Sequence, residues 1–196
     1  MTALLAAYRA LYALNTVFLR IGRTLAWIAL ALMVFVILLQ VVYRYVPFLD
    51  ALNWAEEAAR FLMLWLTGLC APSALRWGGF VAIDMVPRAF QGRASTLLLL
   101  GLHLIAMTVL VMGVYLGWNH VDKGWLFNSS SLRLPLDLIG MESLRIKLAW
   151  MYMSLLVGFV LMLSVAVELL LKLVMQLIDP TEEFEDDPDM IFASGD

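Results

Sequence analysis

Glu56, Glu57 and Arg60 are the residues of this chain whose types and spacing could do chemistry. Two carboxylates and a guanidinium this close could relay a proton, hold a cation or neutralise one another. On a helix Glu56 precedes Arg60 by four positions and Glu57 by three, so both lie beside it, with acid ahead of base in the favourable order. Arg60 is six residues beyond Trp54, about 9 Å of helix, and Phe61 to Leu75 carry no charge. An ionisable side chain in such surroundings costs about 2.5–3.5 kcal/mol at the centre of a bilayer, which makes it a functional candidate. Three roles fit the triplet: a self-neutralised cluster securing a helix end, a contact with another subunit, or a proton or ion relay. The relay is short of partners, since Gln40 and His103 are uncharged and Glu168 is expected at the opposite face.

Other chemistries find no residues to carry them. One cysteine, Cys70, excludes an internal disulfide framework and any multi-cysteine metal site. There is no nucleophile and base set, no phosphate-cradling glycine loop and no exposed basic patch, so hydrolase, transferase and nucleic-acid-binding roles have no support. No cofactor or metal site is expected, and no enzymatic activity.

The elements that position the charged triplet follow from composition. The 196 residues are 63% apolar and 15% charged, against roughly 45–50% and 25% in soluble domains, and the mean hydropathy is +0.89. A bilayer core about 30 Å thick takes about 20 helical residues, and loops cannot cross it with their backbone groups unpaired. Residues 24–43, 54–75, 95–118 and 148–171 meet this requirement. The second stretch is long enough only with the turns bearing Glu56, Glu57 and Arg60 at membrane depth. The expected fold is an all-α integral membrane protein with four transmembrane helices, short interfacial helices and both termini in the cytoplasm. That orientation rests on Arg9, Arg20 and Arg23 ahead of the first span, against Arg44 close behind it.

The connections differ in character. In residues 1–23, Leu4, Leu5, Tyr8, Leu11, Tyr12, Asn15 and Phe18 recur at helical spacing, which predicts a short interfacial helix. A short link with Pro47 makes the first two spans antiparallel neighbours. Residues 76–94 read as an apolar link along the cytoplasmic surface, and 119–147 as an unusually apolar outer link. Residues 179–196 hold eight acids and no base, so the net charge of −3 conceals a basic body with an acidic, disordered tail. Gly113-x-x-x-Gly117 and Ser154-x-x-x-Gly158 allow helices to approach closely, either within the chain or toward a partner.

Around the triplet the residues form a longer pattern: Val42-Tyr43-Arg44-Tyr45, then Asn53-Trp54-Ala55-Glu56-Glu57-Ala58-Ala59-Arg60, then Trp65-Leu66, Ala74-Leu75-Arg76-Trp77-Gly78-Gly79 and Val81-Ala82-Ile83-Asp84. This resembles the small membrane subunit of tripartite ATP-independent periplasmic (TRAP) transporters, the DctQ-like family. The chain departs from the family at Phe80, where a histidine is common, and its acidic tail and apolar outer link match no family feature.

The resemblance implies a partner role in a bacterial inner membrane. A small multi-pass subunit would pair with the large TRAP membrane subunit for sodium-coupled uptake of an organic acid delivered by a periplasmic binding protein. Arg44, Trp54, Glu56, Glu57, Arg60 and Asp84 are then the candidate subunit-interface residues. The competing class is a haem- or quinone-associated four-helix membrane anchor of a redox complex. Against it, His103 is alone inside a span, and His120 lies 17 residues further along the same helix, on the order of 25 Å away. A carrier complete in itself would need repeats or a polar midplane site, which four spans with one charged cluster do not supply.

Overall fold

A computed structural model describes residues 2–46, 52, 54–78, 93–134 and 144–178. Asp84, most of the 76–94 link and the acidic tail lie outside the described residues. Among the described residues the elements are helices α1 (Thr2–Tyr45), α2 (Ala55–Arg76) and α3 (Arg93–Gly124), strands β1 (Asn128–Leu134) and β2 (Leu144–Lys147), and helix α4 (Ala149–Ile178). All four helices are long and apolar enough to cross a membrane, as the hydropathy pattern predicts.

Helix α1 departs from expectation in being continuous. The interfacial segment and the first span form a single helix of 44 residues, about 66 Å long and roughly twice the thickness of a bilayer core. Between Thr2 and Tyr45 there is no proline and only one glycine, Gly22, in a run rich in Ala and Leu, so nothing local ends the helix. Thr16 and Thr24 fold their hydroxyls back onto the carbonyls of Tyr12 and Arg20 at 2.7 and 3.0 Å, satisfying polar groups that would otherwise oppose burial.

One face of α1 is inward. Tyr8, Asn15, Leu19, Gly22, Ala26 and Ala29 are buried, spaced alternately three, four or seven apart, the 3.5-residue seam of helices packed along their length. Phe18, expected on this apolar face, is instead exposed. A seam made of Gly22, Ala26 and Ala29 brings α2 close: a methyl group on Gly22 would lie 3.4 Å from the Leu69 carbonyl oxygen.

The helices pack in the spatial order α1, α2, α4, α3, with α1 also touching α4. The tightest crossing joins α2 to α4. A Cβ on Gly68 would collide with the Ser154 carbonyl oxygen, and one on Gly158 would come within 2.8 Å of the Gly68 carbonyl oxygen. Along α3, Gly113 accommodates Phe159, Gly117 accommodates Leu156, and Gly124 meets Ala149. Both small-residue motifs are therefore used inside the chain. At that end Val121, Ala149 and Leu156 form a buried cluster backed by Val114, Tyr152 and Met153.

The link between α3 and α4 contains an antiparallel hairpin that hydropathy alone does not predict. Asn128 pairs with Lys147, Arg133 with Arg145 and Leu134 with Leu144, with a register shift between the first two pairs. The Leu148 N–H donates to the Phe127 carbonyl at 3.1 Å and fastens the hairpin to the start of α4. Apolar side chains made this segment read as a surface-packed loop, but its backbone groups still needed partners and found them across the hairpin.

Candidate functional site

Two groups of charged side chains lie at opposite ends of α2. At its N-terminus Glu56 and Glu57 occupy the first turn, where carboxylates complement the helix dipole. Arg60 pairs with Glu56 one turn away, and both side chains are open, at 71% and 65% exposed. Glu57 turns elsewhere and accepts a 2.5 Å hydrogen bond from Ser129 in β1. The hairpin is thereby tied to the start of α2 by a buried serine. Trp54 precedes the helix, exposed and without a side-chain capping bond. Arg44 is exposed in the last turn of α1, a favourable place for a cation.

At the other end of α2 the structure assembles a site that spacing could not reveal. Arg76 and Glu168 form an ion pair at 3.1 Å, with side chains only 4% and 3% exposed. The guanidinium donates from Nε to Glu168 Oε1 at 3.1 Å and from Nη1 to Thr16 Oγ1 at 2.9 Å. It also lies 4.3 Å from the centre of the Tyr12 ring, a cation–π contact strengthened by the absence of water. Asn15 donates from Nδ2 to Glu168 Oε2 at 2.7 Å, and Ser164 donates to Asn15 Oδ1 at 2.7 Å. Both carboxylate oxygens are thus engaged, and α1, α2 and α4 meet at one polar knot. The contact of Asn15 with Glu168 also places the beginning of α1 and the end of α4 at the same end of the molecule.

Burying two charges is costly, and a pair survives burial only where further hydrogen bonds satisfy the remaining groups. Asn15, Thr16 and Ser164 supply those bonds. The result is a buried network suited to fixing three helices, with both carboxylate oxygens engaged.

Both histidines are turned toward helix backbone. His103 Nε2 lies 2.7 Å from the Ala166 carbonyl and His120 Nδ1 2.8 Å from the Leu116 carbonyl, so each donates its N–H there. His120 also meets the Tyr152 ring edge-on. Among the described residues no group of three or more His, Cys, Asp or Glu side chains could hold a metal ion.

Aromatic and basic side chains mark both ends of the bundle. At the hairpin, Lys147 lies over the Trp125 ring at 5.3 Å and Trp125 packs edge-on against Trp150. At the opposite end Arg23 lies 4.9 Å from the centre of the Trp77 ring. Such pairings suit the two membrane interfaces.

The open cluster is legible in the sequence and the buried one is not. In the sequence Asn15 is one position of a helix face, Arg76 stands in the longer pattern around the triplet, and Glu168 is expected at the face opposite that triplet. The available signal was polarity in the wrong surroundings, an asparagine and a glutamate each within an apolar helix face.

A profile of the family described as "Tripartite ATP-independent periplasmic transporters, DctQ component" matches residues 33–176, well over half of the chain. No curated protein matches the chain.

Proposed function

Starting from a chain that belongs to the DctQ component family of TRAP transporters, we propose that it pairs with a large transport subunit in a bacterial inner membrane and is required for uptake by the complex. The cargo in this reading is an organic acid, brought by a periplasmic binding protein and moved with sodium by the large subunit. The small subunit contributes structure and docking surface, and no path of its own.

The observation that carries the proposal is the burial of the Arg76–Glu168 network. A transport path requires polar groups that can release and rebind a solute or ion. Here both carboxylate oxygens are held by side chains of the same chain. Around this fixed core the outward faces of α1 and α3 present large apolar side chains, among them Ile21, Phe35, Ile105 and Tyr115. Surfaces of that kind suit lipid and a partner's helices. Arg44, Trp54, Glu56, Glu57 and Arg60 form the candidate contact with the large subunit or the docked binding protein, and Asp84, which follows the other end of α2 in the sequence, is a candidate contact with the large subunit alone. For Trp54, Glu56 and Arg60, exposure beside the hairpin supports that assignment.

The test is reconstitution. Proteoliposomes containing the large subunit and the binding protein are expected to accumulate substrate only when this chain is included, and this chain alone is expected to give none. Uptake by this chain alone would defeat the proposal.

A further inference from the structure

A cavity of about 500 Å³ lies between α2, α3 and α4, within the roughly 300–1,000 Å³ range of small-ligand sites. Along α3 it runs from Leu99 to Leu110 and along α4 from Leu173 to Met162, about 16 Å of each helix. Leu110 is at the middle of the apolar stretch Leu97–Gly124, and Met162 at the middle of Ala149–Met175. The cavity therefore occupies one half of each span, the depth of a single leaflet, which is about 15 Å of a 30 Å core. Past the midpoint it ends, because Phe159 packs against Gly113 and Leu156 against Gly117. The small side chains of Ala106 and Ala166 leave the near half unfilled. On one side it is open: Val109 at its rim is 63% exposed, and Ile105, a turn earlier, is 64% exposed.

The polar side chains of the lining are already engaged. Arg76 is paired with Glu168, His103 is turned to the Ala166 carbonyl, and Lys172 has a partner within the chain. What remains to be met is aliphatic wall. Water would find few hydrogen-bond partners there, and an empty slot would forfeit the dispersion contacts of its lining. A partner's membrane-spanning helix would continue past the midpoint, where the slot has closed. A lipid chain ends at the midpoint. We propose that the cavity seats one acyl chain of a membrane phospholipid, drawn from the leaflet on the side of the α2 C-terminus. Its methyl end lies at Leu110 and Met162 and its ester end toward Gly78. Selection is by the length of the chain and is indifferent to the headgroup. The bound chain fills the wedge between α3 and the α2–α4 pair, where the tight glycine contacts of the opposite half are lacking.

Native mass spectrometry of the full chain, delipidated in detergent, tests this. Titrated separately with dioleoylphosphatidylcholine and dioleoylphosphatidylglycerol, the wild type is expected to retain one molecule of either. Dihexanoylphosphatidylcholine, whose chains are too short to reach the midpoint, should be lost. Ala106→Trp fills the slot and should lose the dioleoyl lipids, with helicity measured on the same sample. Val111→Trp, on the exposed face of α3, should keep them. On the wild type alone, a phosphatidylcholine with a photoreactive diazirine at its chain end should label the segments around Leu110 and Met162. Equal retention of the short-chain lipid, retention of phosphatidylglycerol alone, undiminished retention by Ala106→Trp, or labelling only elsewhere would overturn the proposal. So would a wild type that retains no long-chain lipid, and if Ala106→Trp then also loses the co-expressed large subunit, the occupant is a partner's helix.

Discussion

The two ends of α2 each carry an arginine paired with a glutamate, and the pairs do different things. Glu56 and Arg60 are four residues apart on one helix and open to their surroundings. Arg76 and Glu168 are 92 positions apart, almost fully buried, and joined by residues of a third helix. An exposed pair at this helical spacing contributes about 0.3–0.5 kcal/mol. Removing one partner of a buried pair costs about 3–5 kcal/mol, because the other charge is left uncompensated. The same two residue types therefore hold the fold together at one end of α2 and leave a surface available at the other.

The largest expected effect comes from breaking the buried pair. Glu168→Ala should destabilise the purified chain by about 3–5 kcal/mol, seen as a lowered thermal midpoint in detergent. The double substitution Arg76→Met with Glu168→Leu should recover much of that loss, since removing both charges removes the unpaired one. A Glu168→Ala protein as stable as the wild type would show that the two ends do not differ in kind.

Next come the packing and hydrogen bonds around the knot. Gly68→Val places methyl groups against the Ser154 carbonyl at the α2–α4 crossing and should cost about 1–3 kcal/mol or more. Asn15→Leu leaves Glu168 Oε2 and the Ser164 hydroxyl without their partner. That should cost about 1–3 kcal/mol, read as faster unfolding of the chain.

The smallest stability effects are expected at the open end. Ser129→Ala removes the hydrogen bond to Glu57 and should loosen the hairpin by about 1.5 kcal/mol, as for a bond to a charged acceptor. Faster amide exchange over β1 and β2, with the helices unchanged, is the expected readout. Glu56→Ala with Arg60→Ala should change stability by about 0.5 kcal/mol or less and yet reduce recovery of the large subunit. That separation of stability from assembly sharpens the contrast between the two ends.

The four spans were legible because hydropathy over about 20 residues is a local property. The Glu56–Arg60 pair was legible for the same reason, being one helical turn long. Glu168 was not, because its partners Asn15 and Arg76 are 153 and 92 residues away, and no periodicity connects them. The continuity of α1 was hidden by Arg20 and Arg23, which interrupt the apolar run without interrupting the helix. In the link between α3 and α4 the side chains were legible as apolar, whereas strand pairing depends on two segments meeting in register.

Recovery of the co-expressed large subunit on affinity-tagged chain, compared between the wild type and the Glu56→Ala, Arg60→Ala variant at matched thermal stability, tests the central claim most directly. The account predicts equimolar recovery with the wild type and a marked loss with the variant. Recovery of no large subunit by the wild type, in a membrane where both are present and folded, would contradict it.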